Sequence, residues 1–423
     1  MADLSTNCAG IRSPNPFWLA SAPPANSGAQ VMRAFDAGWG GAVWKTLGTP
    51  IQNVSSRFGA VRHRAQEPLG FTNIELITDR PLDVNFREIT EVKKRFPHHA
   101  VIVSLMVETR EEWKEMIART VDTGADGIEL NFGCPHGMCE RGMGSAVGQD
   151  PRANTVITSW AKEFSPLPVL VKLTPNVDDI VPHGLAAKGG GADGVSLINT
   201  IKSIIAVDID RMVPEPRVGG LSTNGGYCGP AVRPIALHMV AELARDPRFQ
   251  LPISGIGGIS NWRDAVEFFL LGATSVQVCT AVMLHGYRIV EDMIEGLNTY
   301  LDERGIARLG DLVGRAVPTF SSWGDLNLNY ETVARINPAT CIGCHLCRVA
   351  CWDGAHQCIH MDPHGGHVPV VDESECVGCN LCQIVCPVPD CIEMAAVDNG
   401  YAPATWNEHM NEGKALRPKK GAH

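Results

Sequence analysis

The chain has 423 residues, 44% of them hydrophobic, with 46 acidic against 36 basic side chains and a net charge of −10. That balance argues against nucleic acid or an anionic membrane surface as the main partner, and no apolar run reaches the roughly 18 residues of a membrane helix. The polar stretch Met1–Gly10 lacks the apolar core of a secretory signal, so a soluble, cytoplasmic protein of two or three domains is expected.

In chain order, eight apolar and often β-branched runs read as strands: Phe17–Ser21, Ala42–Thr46, Ala100–Met106, Gly127–Asn131, Val169–Leu173, Gly194–Asn199, Ile253–Gly257 and Ser275–Cys279. Helical patterns lie between most of them, as at Glu111–Thr123, Ile180–Lys188, Ile235–Arg245 and Trp262–Leu271. Three times a Gly-Ala pair (Gly124-Ala125, Gly191-Ala192, Gly272-Ala273) precedes the next strand, as a helix C-cap leading into a buried parallel strand should. Eight strands in βα alternation predict an α/β fold, a (β/α)8 TIM barrel over residues 1–306. Residues 307–334 read as a linker lying against it. Composition then shifts to Cys, Pro, Gly and His over 335–394, and 395–423 is a polar tail, wrapped on the surface or disordered.

In such barrels chemistry sits at the C-terminal strand ends. Those ends carry Lys45-Thr46, Asn131 to Pro135, Lys172-Leu173-Thr174, Asn199-Thr200, Gly255 to Gly258, and Cys279-Thr280. Gly257 and Gly258 lead into a helix and suit a phosphate cradled by backbone N–H groups, though a plain tight turn uses the same residues. Lys172 on an apolar strand is costly to bury unpaired. It either faces the pyrimidine end of a flavin or snorkels to the rim.

Of 15 cysteines, ten fall between Cys341 and Cys391, and an odd total disfavours a secreted disulfide framework. Cys341, Cys344, Cys347 and Cys351, then Cys376, Cys379, Cys382 and Cys386, each spell C-x2-C-x2-C-x3-C, offset by 35 residues. Three thiolates at this spacing wrap one cubane and the fourth reaches the other cluster. The expected ligand sets are Cys341, Cys344, Cys347 with Cys386, and Cys376, Cys379, Cys382 with Cys351. Structural zinc, the competing reading, usually takes paired C-x2-C hooks. The segment resembles bacterial-type two-cluster ferredoxins with two departures. Trp352 stands where a proline is expected, and 353–367 reads as an insertion that contains Cys358. Cys358 and Cys391 hold similar places in the two halves and read as packing residues.

The run Asn131-Phe132-Gly133-Cys134-Pro135-His136-Gly137-Met138-Cys139-Glu140-Arg141-Gly142-Met143-Gly144 resembles the active-site loop of dihydropyrimidine dehydrogenases. So do Asn15 to Ala22, Phe71-Thr72-Asn73-Ile74-Glu75, Lys172 to Asn176 and Asn199-Thr200. The likeness spans the barrel in order and continues into the two-cluster segment, nearest the bacterial subunit type with FMN and iron–sulfur clusters. The resemblance implies reduction of the C5–C6 double bond of uracil and thymine. Electrons would pass through two [4Fe–4S] clusters to FMN, which gives hydride to C6 while Cys134 protonates C5. It assigns Asn73, Asn131, Phe132, Gly133, Asn199 and Thr200 to the pyrimidine, and Ser21, Lys45, Thr46, Lys172, Gly229, Gly257, Gly258, Cys279 and Thr280 to the flavin. Independently, a thiol with an ordinary pKa near ~8.5 is mostly protonated at neutral pH and suits a general acid; a lone cysteine after a strand can equally be a small buried hydrophobe. Cys139, five residues from Cys134, is a possible oxidative disulfide partner with no catalytic role implied.

No G-x-G-x-x-G with a following acidic residue marks a dinucleotide site. The resemblance therefore implies a partner subunit with FAD and an NAD(H) site, in a hetero-oligomer. Two alternatives stay open: a dihydroorotate dehydrogenase-like FMN enzyme, and a non-catalytic electron-transfer subunit.

Overall fold

The computed structural model describes residues 2–49, 51–62, 68–135, 142–354 and 356–418. The loop 136–141 with Cys139, and Lys419-Lys420 of the basic tail, lie outside the described residues. Each of the eight apolar runs forms a strand within two residues of its expected ends. These are β1 (Phe17–Leu19), β2 (Gly41–Leu47), β3 (Ala100–Leu105), β4 (Gly127–Asn131), β5 (Val169–Lys172), β6 (Gly194–Leu197), β7 (Ile253–Ile256) and β8 (Ala273–Val278). Each pairs in parallel with the next and β8 pairs with β1, closing a barrel. Burial on both faces explains why they read as continuous apolar runs rather than alternating ones.

Helices α1 (Gly28–Ala37), α2 (Leu82–Arg95), α3 (Arg110–Asp122), α4 (Pro151–Phe164), α5 (Val181–Gly189), α6 (Arg233–Arg245), α7 (Trp262–Leu270) and α8 (Ile289–Glu303) follow the strands in turn. Their limits are local. Thr109 and Glu112 form a reciprocal capping box on α3, and Asp150 caps α4 with Pro151 in its first turn. The three Gly-Ala exits hold Gly124, Gly191 and Gly272 at φ of 77°, 89° and 105°, a region that favours glycine.

The barrel floor is plugged by an N-terminal hairpin, Thr6–Cys8 with Ile11–Ser13, whose Cys8 and Ile11 pack on Trp18, Val43 and Leu170. Over the opposite end lies an antiparallel sheet of Ile201–Ser203, Gly225–Cys228, Pro68–Asn73 and Phe58–Arg62, in that order. It is built from the β2–α2 and β6–α6 connections and roofs the strand ends.

The chain divides into two units, Met1–Phe320 and Ser321–His423. The break falls inside the stretch read as one linker. Leu309 and Leu312 are buried in the barrel core, whereas Leu328 N–H donates to Ala404 O in the second unit. In that unit β9 (Thr332–Ile336) pairs antiparallel with β12 (Ile392–Ala396), and β10 (Ile359–His360) with β11 (Val370–Val371). The tail wraps this unit through 418 and includes a short helix, Trp406–Glu412. Among the described residues no helix is long and apolar enough to cross a membrane.

Candidate active site and cluster cavities

The C-terminal strand ends and the roofing sheet line a deep cavity. Ser21, Lys45, Thr46, Asn73, Asn131, Cys134, Lys172, Asn199, Thr200, Gly229, Gly257, Gly258, Cys279 and Thr280 all line it. Ser21 and Thr280, 259 positions apart, are thus brought to one site by barrel closure. Phe132 and Gly133 do not line it. The Phe132 ring is buried in the barrel core edge-on to Trp113, with centroids 6.5 Å apart, so it serves packing. At Gly133 a Cβ would sit 2.3 Å from that of Asn199, so the missing side chain gives Asn199 its room.

A polar row crosses the cavity. Asn199 Nδ2 donates to Asn131 Oδ1 at 2.9 Å, and Asn131 Nδ2 donates to Thr46 Oγ1 at 3.0 Å. Thr46 Oγ1 also lies 3.1 Å from Ser21 Oγ and 3.0 Å from Ser104 Oγ. Gly133 N–H and Thr200 N–H donate to the amide oxygens of Asn131 and Asn199, which fixes both side chains. Asn73 enters from the roof, its Nδ2 donating to Gly226 O at 3.3 Å.

Cys134 is buried beside Ile77, Met106 and Met143 while its surface reaches the cavity. Its backbone is held from the far side of the loop: Ser145 N–H donates to its carbonyl at 3.0 Å, and a Cβ at Gly148 would fall 1.9 Å from Phe132 O.

Charge is arranged in two pairs that residue patterns did not reveal. Lys45 Nζ lies 3.0 Å from Glu75 Oε2, and Arg57 holds the other Glu75 oxygen at 2.9 Å. Lys172 Nζ lies 3.7 Å from Glu129 Oε1, so it does not snorkel to the rim. Glu129 is wholly buried inside the barrel, its Oε2 accepting from Ser196 Oγ at 2.7 Å and Gln277 Nε2 at 3.0 Å. The available signal was an acid at the centre of the apolar run Gly127–Asn131.

At another part of the wall, Gly229, Gly257 and Gly258 adopt φ of 95°, 136° and 73°. A Cβ at Gly257 would lie 2.6 Å from Ala236 Cβ, and one at Gly258 2.9 Å from Arg233 Cβ. Bare backbone in this place suits a phosphate. Nearby, burial pushes the Cys279 thiol up to about 12, with Cys228 adding to the effect against Lys172 and Lys45. Cys279 is therefore a neutral wall. Two buried lysines and a glycine cradle fit FMN, a ring that gains negative charge on reduction joined to a phosphate.

In the second unit the cysteines separate into the two expected sets. Cys341, Cys344, Cys347 and Cys386 line one cavity together with Cys391, and Cys351, Cys376, Cys379 and Cys382 line another together with Cys358. Among the described residues no three His, Cys, Asp or Glu converge as they would on a single metal ion. Four thiols of one C-x2-C-x2-C-x3-C pairing around a cavity fit a cubane cluster. Gly343 and Gly378 have φ of 67° and 73°; Gly378 packs on Thr332 O, where a Cβ would come to 2.5 Å.

Residues 3–301 match the family model described as dihydroorotate dehydrogenase, and 334–394 match that of a 4Fe-4S dicluster domain. Over 397 residues, 93% of this chain and 96% of the relative, the sequence is 43% identical to "NAD-dependent dihydropyrimidine dehydrogenase subunit PreA" of Escherichia coli (strain K12). It is 39% identical over 337 residues (77% and 79%) to "Dihydropyrimidine dehydrogenase (NADP(+)), chloroplastic" of Arabidopsis thaliana. To "Dihydroorotate dehydrogenase B (NAD(+)), catalytic subunit" of Pyrococcus horikoshii it is 38% identical over 315 residues, 74% of this chain and 98% of that one.

Proposed function

The chain belongs to the dihydropyrimidine dehydrogenase family, within the wider dihydroorotate dehydrogenase family, and from that premise we propose that it reduces the C5–C6 double bond of uracil and thymine in the cytoplasm. The reading is carried by one observation: a thiol, Cys134, and three amides, Asn73, Asn131 and Asn199, line one cavity with a glycine cradle and two buried lysines. In this reading residues 1–306 form the FMN barrel and 335–394 the two-cluster domain, with 307–334 joining them and 395–423 as the tail.

FMN, when bound, supplies hydride for C6, and the two [4Fe–4S] clusters supply single-electron carriers. Gly229, Gly257, Gly258 and Thr280 would hold the phosphate end, and Ser21, Lys45, Thr46, Lys172 and Cys279 the ring end. Asn73, Asn131, Asn199 and Thr200 offer donors and acceptors to the edges of the pyrimidine, which carries both. Cys134 donates its proton to C5 and is recharged from solvent in each turnover. Lys172, 3.7 Å from Glu129 Oε1, would offer its ammonium to the ring end, which gains negative charge on reduction.

A dihydroorotate dehydrogenase-like activity is the second reading, favoured by the barrel's similarity to the Pyrococcus horikoshii catalytic subunit. Its substrate adds a carboxylate to the ring. Glu75 lines the cavity, and an acid in its wall disfavours a substrate carboxylate. A partner subunit with FAD and an NAD(H) site would complete the enzyme as a hetero-oligomer. Anaerobic purification with flavin, iron and sulfide analysis, followed by titration with uracil and with dihydroorotate, tests the reading. Perturbed flavin absorbance with uracil supports it; a response to dihydroorotate alone supports the second reading, and no response to either supports a non-catalytic electron-transfer role.

A further inference from the structure

The cavity of Cys351, Cys376, Cys379 and Cys382 contains a fifth sulfur that the ligand pattern leaves unused. Cys358 is 4% exposed, lines that cavity and places Sγ 3.6 Å from Cys351 Sγ. Its segment is fixed from several sides. The Trp352 indole N–H donates to Ile359 O at 2.6 Å, Asp372 N–H donates to Cys358 O at 2.8 Å, and Ile359 pairs with Val371. Gln357, at φ 59°, turns the chain back and donates its N–H to Cys351 O at 3.2 Å. Both departures from the ferredoxin pattern, the tryptophan and the insertion, thus hold one thiol against the ligand set, in reach of Cys351 and also of Cys376.

We propose that Cys358 donates an S–H···S hydrogen bond to the ligating sulfur of Cys351 and so raises the reduction potential of the cluster held by Cys351, Cys376, Cys379 and Cys382. The inference rests on the two-cluster reading of this unit. Once Cys351 binds iron its sulfur has no proton to give, which leaves Cys358 as the donor. Four thiolates complete a cubane without it. A donor to a ligating sulfur stabilises the added negative charge of the reduced cluster, and this is one of the levers that set cluster potentials. In the other half Cys391 lies beside Cys386, but its Sγ also lies 4.0 Å from Asn337 O, an acceptor that competes for its proton.

The test is an anaerobic redox titration of the full holo-chain followed by electron paramagnetic resonance, with iron and sulfide measured on the same samples. Cys358→Ala should keep its iron and sulfide. At fixed potential one cluster should show a reduced-to-oxidised ratio roughly three- to tenfold lower, the worth of one hydrogen bond; tenfold corresponds to about 59 mV for one electron. Cys358→Ser, still a donor, should hold that ratio at or above wild type, and Cys391→Ala should leave this cluster's midpoint in place. A wild-type midpoint in Cys358→Ala, or an equal fall in Cys358→Ser, overturns the proposal. Loss of half the iron in Cys358→Ala also overturns it, by making Cys358 a ligand. Wild-type protein without iron and sulfide would instead remove the two-cluster reading itself.

Discussion

Cys134 owes its position to neighbours that leave it little freedom: a carbonyl held by Ser145 and a flank of Ile77, Met106 and Met143. Cys134→Ala should therefore keep FMN and iron content while turnover of uracil falls about 10²- to 10⁴-fold, the usual worth of a placed proton donor. Steady-state assay with an artificial donor checks this, and near-wild-type turnover would remove the acid role. Glu129 is a different case, a wholly buried carboxylate facing Lys172 at 3.7 Å. Replacing it leaves a buried ammonium without its counter-charge, a loss on the order of 3 kcal/mol. Urea denaturation of Glu129→Gln should show it; an unchanged midpoint would mean that Lys172 is neutralised by other means.

Among the elements, the backbone that follows β4 is held closely at Gly148. Gly148→Ala would set a methyl 1.9 Å from the carbonyl of Phe132, backbone that cannot swing aside. It should lower the melting temperature and weaken uracil binding together, because the displaced backbone is the stretch carrying Cys134. In the second unit, Cys376→Ala should cost about four irons per chain and leave the other cluster assembled, since the two cavities are lined by separate thiol sets. The barrel strands were legible in the sequence because burial on both faces leaves an unbroken apolar run with a glycine-marked entrance. The grouping of eight cysteines around two cavities was legible because cluster chemistry fixes the spacing C-x2-C-x2-C-x3-C. The roofing sheet was not: Phe58–Arg62 and Ile201–Ser203 are short, partly exposed strands that pair with segments far away in the chain. Glu75, Glu129 and Gln277 escaped for a related reason, because only barrel closure shows that such residues point at one another. Phe132 shows the converse, a motif position whose ring serves packing.

For the whole molecule, if a partner subunit brings the electrons as proposed, the purified chain should reduce uracil with a chemical donor and not with NADH. Robust NADH-driven turnover by the pure chain would remove the need for a partner subunit. The second unit has a further property. The Asn329 side chain, just ahead of β9, donates to Ala402 O and Ala415 O and accepts from Arg417 N–H, and Arg417 reaches Glu331 at 3.4 Å. One amide thus ties the approach to β9 to the segment 402–417. A module closed on itself in this way should survive being cut free at Phe320/Ser321 and made alone. Its inorganic centres could then be observed without the yellow pigment whose absorbance would otherwise cover theirs.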